Sequence, residues 1–152
     1  MKHLLRASEI EKLAETHHVH QFNENAVRLT RSIGEILDLE RLGIHLVRLQ
    51  GGYESTQFHY HEATEEFLYI LSGRGIAEIG EESTELGPGD FMAFPCPSLP
   101  HNLRNPFDED LVYLLGGERS SLDVVHYPRI RRTLTKVSGR GRWSSWDDIH
   151  DV

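Results

Sequence analysis

Between residues 26 and 127 the sequence breaks into short runs of apolar and β-branched residues, and turn-forming residues separate each run from the next. The runs that read as strands are 26–33, 44–49, 55–61, 66–71, 75–79, 91–94, 101–105, 111–115 and 122–127. Connections this short favour antiparallel pairing, and the sequence has neither a βαβ alternation nor a long repeat. The pattern therefore predicts an all-β sandwich or barrel.

The length and composition suit one globular domain. The chain has 152 residues, of which 38% are hydrophobic and 26% are charged, which is enough to bury a core. The formal net charge of −8 argues against a general affinity for nucleic acid or an anionic membrane. No apolar run approaches the ~20 residues of a membrane span, and residues 1–9 lack the apolar core of a signal peptide. Because Cys96 has no partner for an internal disulfide, we expect a cytoplasmic protein.

The N-terminal end differs from the middle of the chain. The sequence predicts a short helix over residues 8–16, with Ser8 as its cap and Glu11 at the capping-box position. A polar stretch with three histidines follows: His17, His18 and His20. We interpret this stretch as a solvated linker, and a second metal site is the alternative. The sequence therefore predicts an N-terminal helix and arm over residues 1–25 and a β-barrel over residues 26–127.

Residues 128–152 are predicted to form a C-terminal arm. Its first part is basic, and its end is acidic. The basic run is a candidate for contact with nucleic acid, but docking on the acidic body or on a neighbouring subunit is favoured. Trp143 and Trp146 would anchor the arm, since aromatic side chains are favoured at interfaces. Because the edges of jelly-roll sheets must be covered, we predict a homodimer in which the terminal arms cross a two-fold axis.

The clearest indication of a chemical function comes from the histidines, of which the chain contains ten. Residues i and i+2 of a strand point to the same side, so His59 and His61 can direct both imidazole rings into one space. The same alternation turns Glu66 inward, while Glu65 lies in the preceding turn and faces outward. His101 begins a later strand. Three imidazoles and one carboxylate suit one divalent metal ion such as Fe, Mn, Zn or Ni.

The spacing of these residues resembles the two motifs of the cupin superfamily. The first motif is matched by His59-x-His61-x4-Glu66-x6-Gly73, and the second by Gly89-x5-Pro95 followed by His101-x3-Asn105. The match spans about residues 48–115, although Tyr53 and Pro97 stand where the motifs usually have glycine. The chain is similar to small single-domain bacterial cupins. The resemblance implies a double-stranded β-helix, or jelly-roll, barrel that holds the ion inside one end.

The resemblance also implies a small-molecule pocket next to the ion. The residues predicted to line it face the same way as the ligands or lie close to them. They are Arg48, Gln57, Leu68, Ile70, Phe94, Leu103 and Tyr113. Arg48 and Arg104 are the candidates for holding a carboxylate or a phosphate. Strand alternation counts against Arg104 and leaves the facing of Arg48 open, and a surface ion pair is favoured for each.

The predicted ligand set is compatible with more than one function. With Fe(II) it can bind O2 and a chelating substrate, as in a dioxygenase. With Zn, Mn or Ni it can polarise a carbonyl or hydroxyl oxygen, as in an isomerase or epimerase of a sugar-type substrate. For an isomerase, Glu66 is the candidate base and Tyr113 the candidate acid. A non-catalytic cupin that binds or senses a small molecule is the alternative.

Overall fold

The computed structural model describes residues 2–148 and 150. Its helices are short: α1 (Ala7–Ile10) and α2 (Ile33–Ile36), with 3₁₀ turns at Pro128–Ile130 and Trp146–Asp148. The strands are β1 (Thr16–His20), β2 (Asn23–Arg31), β3 (Leu42–Leu49), β4 (Tyr60–His61), β5 (Glu66–Ser72), β6 (Gly75–Ile79), β7 (Glu82–Leu86), β8 (Phe91–Phe94), β9 (His101–Arg104), β10 (Leu111–Glu118), β11 (Leu122–Tyr127), β12 (Arg132–Val137) and β13 (Arg140–Ser145). None of the helices in this described part is long and apolar enough to cross a membrane.

Two antiparallel layers form the barrel. One is a six-stranded sheet with the order β1-β2-β3-β10-β5-β8. The other combines a four-stranded sheet, β13-β12-β11-β4, with a three-stranded sheet, β7-β6-β9. Residues 53–59 join these two smaller sheets because they run alongside β9. The backbones of His59 and His101 exchange two hydrogen bonds there, at 3.1 and 2.8 Å. The all-β jelly-roll prediction is confirmed.

The hydrophobic core lies between the layers, and strand alternation selects its members. Val47 and Leu49 of β3 are fully buried, whereas Arg48 between them points to the other face. The largest side chains buried with them come from β5, β9 and β10: Ile70, Leu103, Leu111 and Tyr113. This packing fixes the strands that carry the site.

The N-terminal segment differs from its prediction. Helix α1 ends at Ile10 rather than Thr16, and Glu9 instead of Glu11 caps it, since Glu9 Oε2 accepts a hydrogen bond from the Arg6 backbone N–H at 2.8 Å. The histidine-rich stretch is not a linker. It is strand β1, which pairs with β2, so the predicted boundary at residues 25 and 26 falls within a strand of the barrel sheet.

The C-terminal segment is a β-hairpin that extends the second layer. Strand β12 pairs with β11 and β13 pairs with β12, so residues 132–145 dock on the chain's own barrel. Ser138 and Gly139 form the two-residue turn with φ of 49° and 79°, as in a type I′ hairpin. The Trp146 indole N–H donates to Thr133 Oγ1 at 2.8 Å. The predicted anchoring by a tryptophan therefore occurs within one chain.

Candidate metal centre and cavity

Three potential ligand side chains converge within the barrel. His59 precedes β4, His61 ends β4, and Glu66 begins β5. The Nε2 atoms of His59 and His61 lie 3.6 and 3.9 Å from the nearer Glu66 carboxylate oxygens. One ligand atom from each of the three residues lies within 4.8 Å of the others, so this group could hold a metal ion.

The fourth predicted ligand, His101, lies beside this group. Its Nε2 atom is 2.6 Å from Glu66 Oε1. The ring stacks on Phe94 with 3.5 Å between centroids, and the backbone pairing with His59 fixes its position. The structure therefore brings all four predicted residues together, with His101 bonded to the carboxylate of the three-residue group.

The far nitrogen of each imidazole ring is anchored. The Nδ1 atoms of His59 and His101 lie 3.0 Å from the backbone carbonyls of Gln57 and Leu99. His61 Nδ1 lies 2.8 Å from a carboxylate oxygen of Asp123. Because a carbonyl or carboxylate only accepts, each Nδ1 carries a proton and each Nε2 is directed toward Glu66. The short contact between His101 Nε2 and Glu66 Oε1 holds a further proton, which a metal ion would replace. Metal-binding histidines show this outer hydrogen bonding, so the residues fit a divalent ion.

Burial and neighbouring charges have opposite effects on the pKa values of Glu66 and His59. Burial alone would raise the pKa of Glu66, but its hydrogen bond with His101 and the nearby rings of His59 and His61 lower that pKa well below its ordinary value. Burial lowers the pKa of His59, although the Glu66 carboxylate, 3.6 Å from its Nε2, opposes the shift. An ionised carboxylate beside a neutral imidazole is the protonation state that a metal ion requires.

A cavity of about 560 Å³ opens onto these residues, a volume typical of small-molecule sites. Four of the side chains predicted to line it do so: Leu68, Phe94, Leu103 and Tyr113. Burial raises the pKa of Tyr113 to about 12, so its hydroxyl stays protonated near neutral pH. Tyr127, which the sequence did not single out, also lines the cavity, and burial raises its pKa to about 12.

The other predicted lining residues lie elsewhere. Arg48 points away from the core and pairs with Glu15 at 2.6 Å and with Asp110 at 2.8 Å. Ile70 is buried in the core. Gln57 accepts a hydrogen bond from Asn23 Nδ2 at 2.7 Å; it precedes β4, so the expected strand alternation over residues 55–61 does not reach it.

Several residues that line the cavity were not predicted from the sequence, because they come from the two ends of the chain. Strands β1 and β2 supply His18, His20 and Arg28, and the C-terminal hairpin supplies Leu134, Lys136 and Trp143. One signal was available in the tail. Ser138-Gly139 is a two-residue turn between alternating runs, which is typical of a hairpin.

Comparison with known proteins agrees with this architecture. A family model of the cupin domain matches residues 45–117. A solved structure from Acidithiobacillus ferrooxidans, described as a "Putative sugar phosphate isomerase", is 38% identical with a TM-score of 0.95, covering 98% of this chain and 96% of that one. The chain therefore belongs to the cupin superfamily.

Two further relatives extend the comparison. A sugar phosphate isomerase of the cupin superfamily from Silicibacter pomeroyi is 23% identical, with a TM-score of 0.84 over 95% of this chain and 94% of that one; at this identity the likeness shows the fold alone. An uncharacterized protein from Methanocaldococcus jannaschii is 40% identical over 50 residues, which are 33% of this chain. The match spans 39% of the length of that curated relative.

Proposed function

We propose that this protein is a divalent-metal-dependent isomerase that acts on a small sugar phosphate. One observation carries the proposal. Imidazole rings whose Nδ1 atoms are hydrogen-bonded and one ionised carboxylate converge in the lining of a cavity of about 560 Å³. The relative that is 38% identical over 96% of its length is described as an isomerase of this class. It supports the choice of substrate.

In this proposal His59, His61, Glu66 and His101 hold the ion. When bound, the ion would polarise a carbonyl or hydroxyl oxygen of the substrate. Asp123 and the two backbone carbonyls keep the imidazole rings oriented through their Nδ1 protons. The protein thereby supplies a fixed set of donors, which keeps reorganisation during the reaction small.

Two tyrosines supply the hydroxyl groups of the cavity. We retain Tyr113 as the acid that gives a proton to a substrate oxygen, because it lines the cavity and is almost fully buried. Tyr127 stacks against His59 with 5.8 Å between ring centroids and can orient the substrate by hydrogen bonding. For Glu66 the geometry favours the part of ligand over that of base, since His59 and His101 both hold its carboxylate.

The experiment is a turnover screen with metal-loaded protein. Metal-free protein is loaded separately with Mn(II), Zn(II), Ni(II) and Fe(II), and aldose and ketose phosphates are followed for interconversion by NMR. We expect isomerisation with at least one non-iron metal. Oxygen uptake with Fe(II) would favour the dioxygenase, and ligand-induced melting shifts without turnover would favour the non-catalytic binding protein. Either outcome, combined with no isomerisation under any of the four metals, would overturn the isomerase.

A homodimer remains part of the proposal, on a different physical basis. The terminal segments expected to cross between subunits pair with their own barrel. Edge strand β8 and its neighbour β5 expose large apolar side chains, with Phe91 61%, Leu71 44% and Tyr69 40% exposed. A second copy would cover this apolar surface. A monomeric mass in light scattering at micromolar concentration would contradict the dimer.

A further inference from the structure

The cavity contains positive charge that the metal centre does not use. Arg28 of β2 and Lys136 of β12 both line it, next to His18 and His20 of β1. Within the described lining, the carboxylate is that of Glu66, which the histidines of the metal centre surround. In a chain of net charge −8, a cavity lined by two permanent cations is a local site for an anion.

Arg28 has hydrogen-bonding capacity left over. Its Nη1 donates to the Ser55 backbone carbonyl at 3.0 Å, which orients the guanidinium group. The ion pairs formed within the described residues include none with Arg28, whereas Arg48 pairs with two carboxylates and Arg104 with Glu78. A guanidinium carries five N–H donors in a fixed fork, so Arg28 can present several of them to a ligand.

His20 provides a second, independent sign of a ligand. The side chain is 8% exposed and lines the cavity. Its Nδ1 accepts a hydrogen bond from the Phe22 backbone N–H at 3.2 Å, so the proton of the neutral ring is on Nε2. That Nε2 is buried without a hydrogen-bond partner among the described protein atoms. Buried N–H groups are costly when unpaired, and an acceptor oxygen in the cavity would satisfy this one.

The imidazole of His20 cannot turn away easily. It packs against Tyr127 and Trp143, with ring centroids 5.2 and 5.8 Å apart, and against Phe22 at 6.3 Å. Burial lowers the pKa of His20 to about 4, and nearby positive charge acts in the same direction. At neutral pH the ring is therefore an uncharged donor held at a fixed place in the wall.

We propose that Arg28, Lys136 and His20 form a phosphate subsite that holds the substrate's phosphate group while its sugar part reaches the metal centre. The choice of a phosphate ester rests on the proposed function; the anion subsite rests on the side chains. Arg28 suits phosphate because its fork can bind two oxygens. Lys136, exposed at the cavity rim, adds a point charge, and His20 donates a neutral hydrogen bond.

The test measures binding of inorganic phosphate to metal-free protein, so that a metal ion cannot be the binding site. Isothermal titration calorimetry should show saturable binding that weakens as salt is added. Arg28→Gln should weaken it about 10-fold or more, since charged hydrogen bonds are lost. Lys136→Gln, at an exposed position where folding is not at risk, should weaken it about 3-fold, as expected for one partly screened charge. His20→Phe should weaken it as well.

The matched control is Arg41→Gln, which removes the same charge at an exposed position outside the cavity lining and should bind phosphate as the wild type does. Circular dichroism checks that each variant is folded. The proposal is overturned if the wild type shows no saturable phosphate binding. It is also overturned if Lys136→Gln and folded Arg28→Gln both bind phosphate normally, or if acetate displaces phosphate at equal concentration.

This result is separable from the turnover screen. Phosphate binding that depends on Arg28, combined with no isomerisation of any sugar phosphate, would leave the subsite standing and remove the proposed function. Isomerisation of a sugar phosphate with an unchanged KM in Arg28→Gln would support the proposed function and contradict the phosphate subsite. A raised KM with a nearly unchanged kcat would support both.

Discussion

His61 and Asp123 lie 2.8 Å apart, from imidazole Nδ1 to carboxylate Oδ2, although 62 positions separate them in the chain. Asp123 is 5% exposed, and its second oxygen has no hydrogen-bond partner among the described residues. The antiparallel pairing of β4 with β11 brings the two side chains together. Asp123 thus fixes the orientation of a candidate ligand without belonging to the donor group itself.

We predict that Asp123→Asn lowers metal affinity. The amide has a similar shape but no charge, so it supports the His61 ring less strongly, and outer-shell changes of this kind typically cost about 10- to 100-fold in affinity. Competition with a chromophoric chelator measures the effect. Asp147→Asn is the control, because Asp147 pairs with Arg131 at an exposed position. Equal affinity in wild type and Asp123→Asn would count against the assigned metal centre.

Removal of a ligand should remove the ion. His59→Ala, His61→Ala and His101→Ala should each contain much less metal than the wild type after identical purification, since each deletes one donor of the set. Elemental analysis of untagged protein measures this. His45→Ala is a suitable control, because His45 is hydrogen-bonded to Ser32 at 3.1 Å and does not line the cavity. Wild-type metal content in all three variants would show that the site is assigned to the wrong residues.

Loss of the Tyr113 hydroxyl should affect turnover more than folding. Tyr113→Phe keeps the buried ring but removes the candidate acid, so kcat should fall about 10²- to 10⁴-fold with the ion still bound. Steady-state kinetics on the substrate found in the turnover screen provides the measurement. Tyr60→Phe serves as the control, since Tyr60 packs on His126 and does not line the cavity. An unchanged kcat in Tyr113→Phe would exclude the acid role.

The buried His20 should make folding stability depend on pH. Its pKa falls from 6.5 to about 4 in the folded protein, so the unfolded chain takes up the proton first as the pH is lowered. Its contribution is therefore present above about pH 6.5 and is lost progressively down to about pH 4, by at most about 3 kcal/mol. Urea unfolding at pH 7.5 and 4.5 tests this. The stability loss should be smaller in His20→Phe, and an equal loss in both proteins would contradict the prediction.

Gly73 should be irreplaceable for a backbone reason. Its φ is +77°, and an added Cβ would come within 2.2 Å of the Asp110 carbonyl oxygen. Gly73→Ala combines left-handed strain with a backbone clash, so we expect a loss of about 2–4 kcal/mol in the free energy of unfolding. Gly87→Ala is the matched control, because a Cβ there meets nothing within 4 Å. Similar unfolding midpoints for the two variants would refute this account.

Local patterns were sufficient for the middle of the chain. The spacing from His59 to Gly73 and the alternation that selects Glu66 over Glu65 predicted which side chains the structure brings together. Short strands bounded by strong turns have a register that alternation defines. Arg48 does not line the cavity as predicted, because Val47 and Leu49 occupy the buried face of β3. The surface ion pair that was favoured for it is present.

Local patterns were insufficient at the two ends. The stretch from Thr16 to His20 is rich in histidine, which has little preference for strands, so its pairing with β2 depends on tertiary context. In the tail, the basic composition indicated an arm, although the Ser138-Gly139 turn is typical of a hairpin. The sequence therefore indicated Arg48 and Arg104 as the candidate anion-binding residues, whereas the cations that line the cavity are Arg28 and Lys136.

The cavity wall built from β1 and the C-terminal hairpin has a consequence for how such a protein can diverge. The candidate metal ligands come from the central stretch of the sequence, whereas much of the remaining cavity wall comes from the two ends. Substitutions in the terminal strands can therefore change which molecule fits the cavity without altering the candidate metal ligands. Exchange of residues 16–20 and 132–145 between related barrels would be a direct route to altered substrate preference.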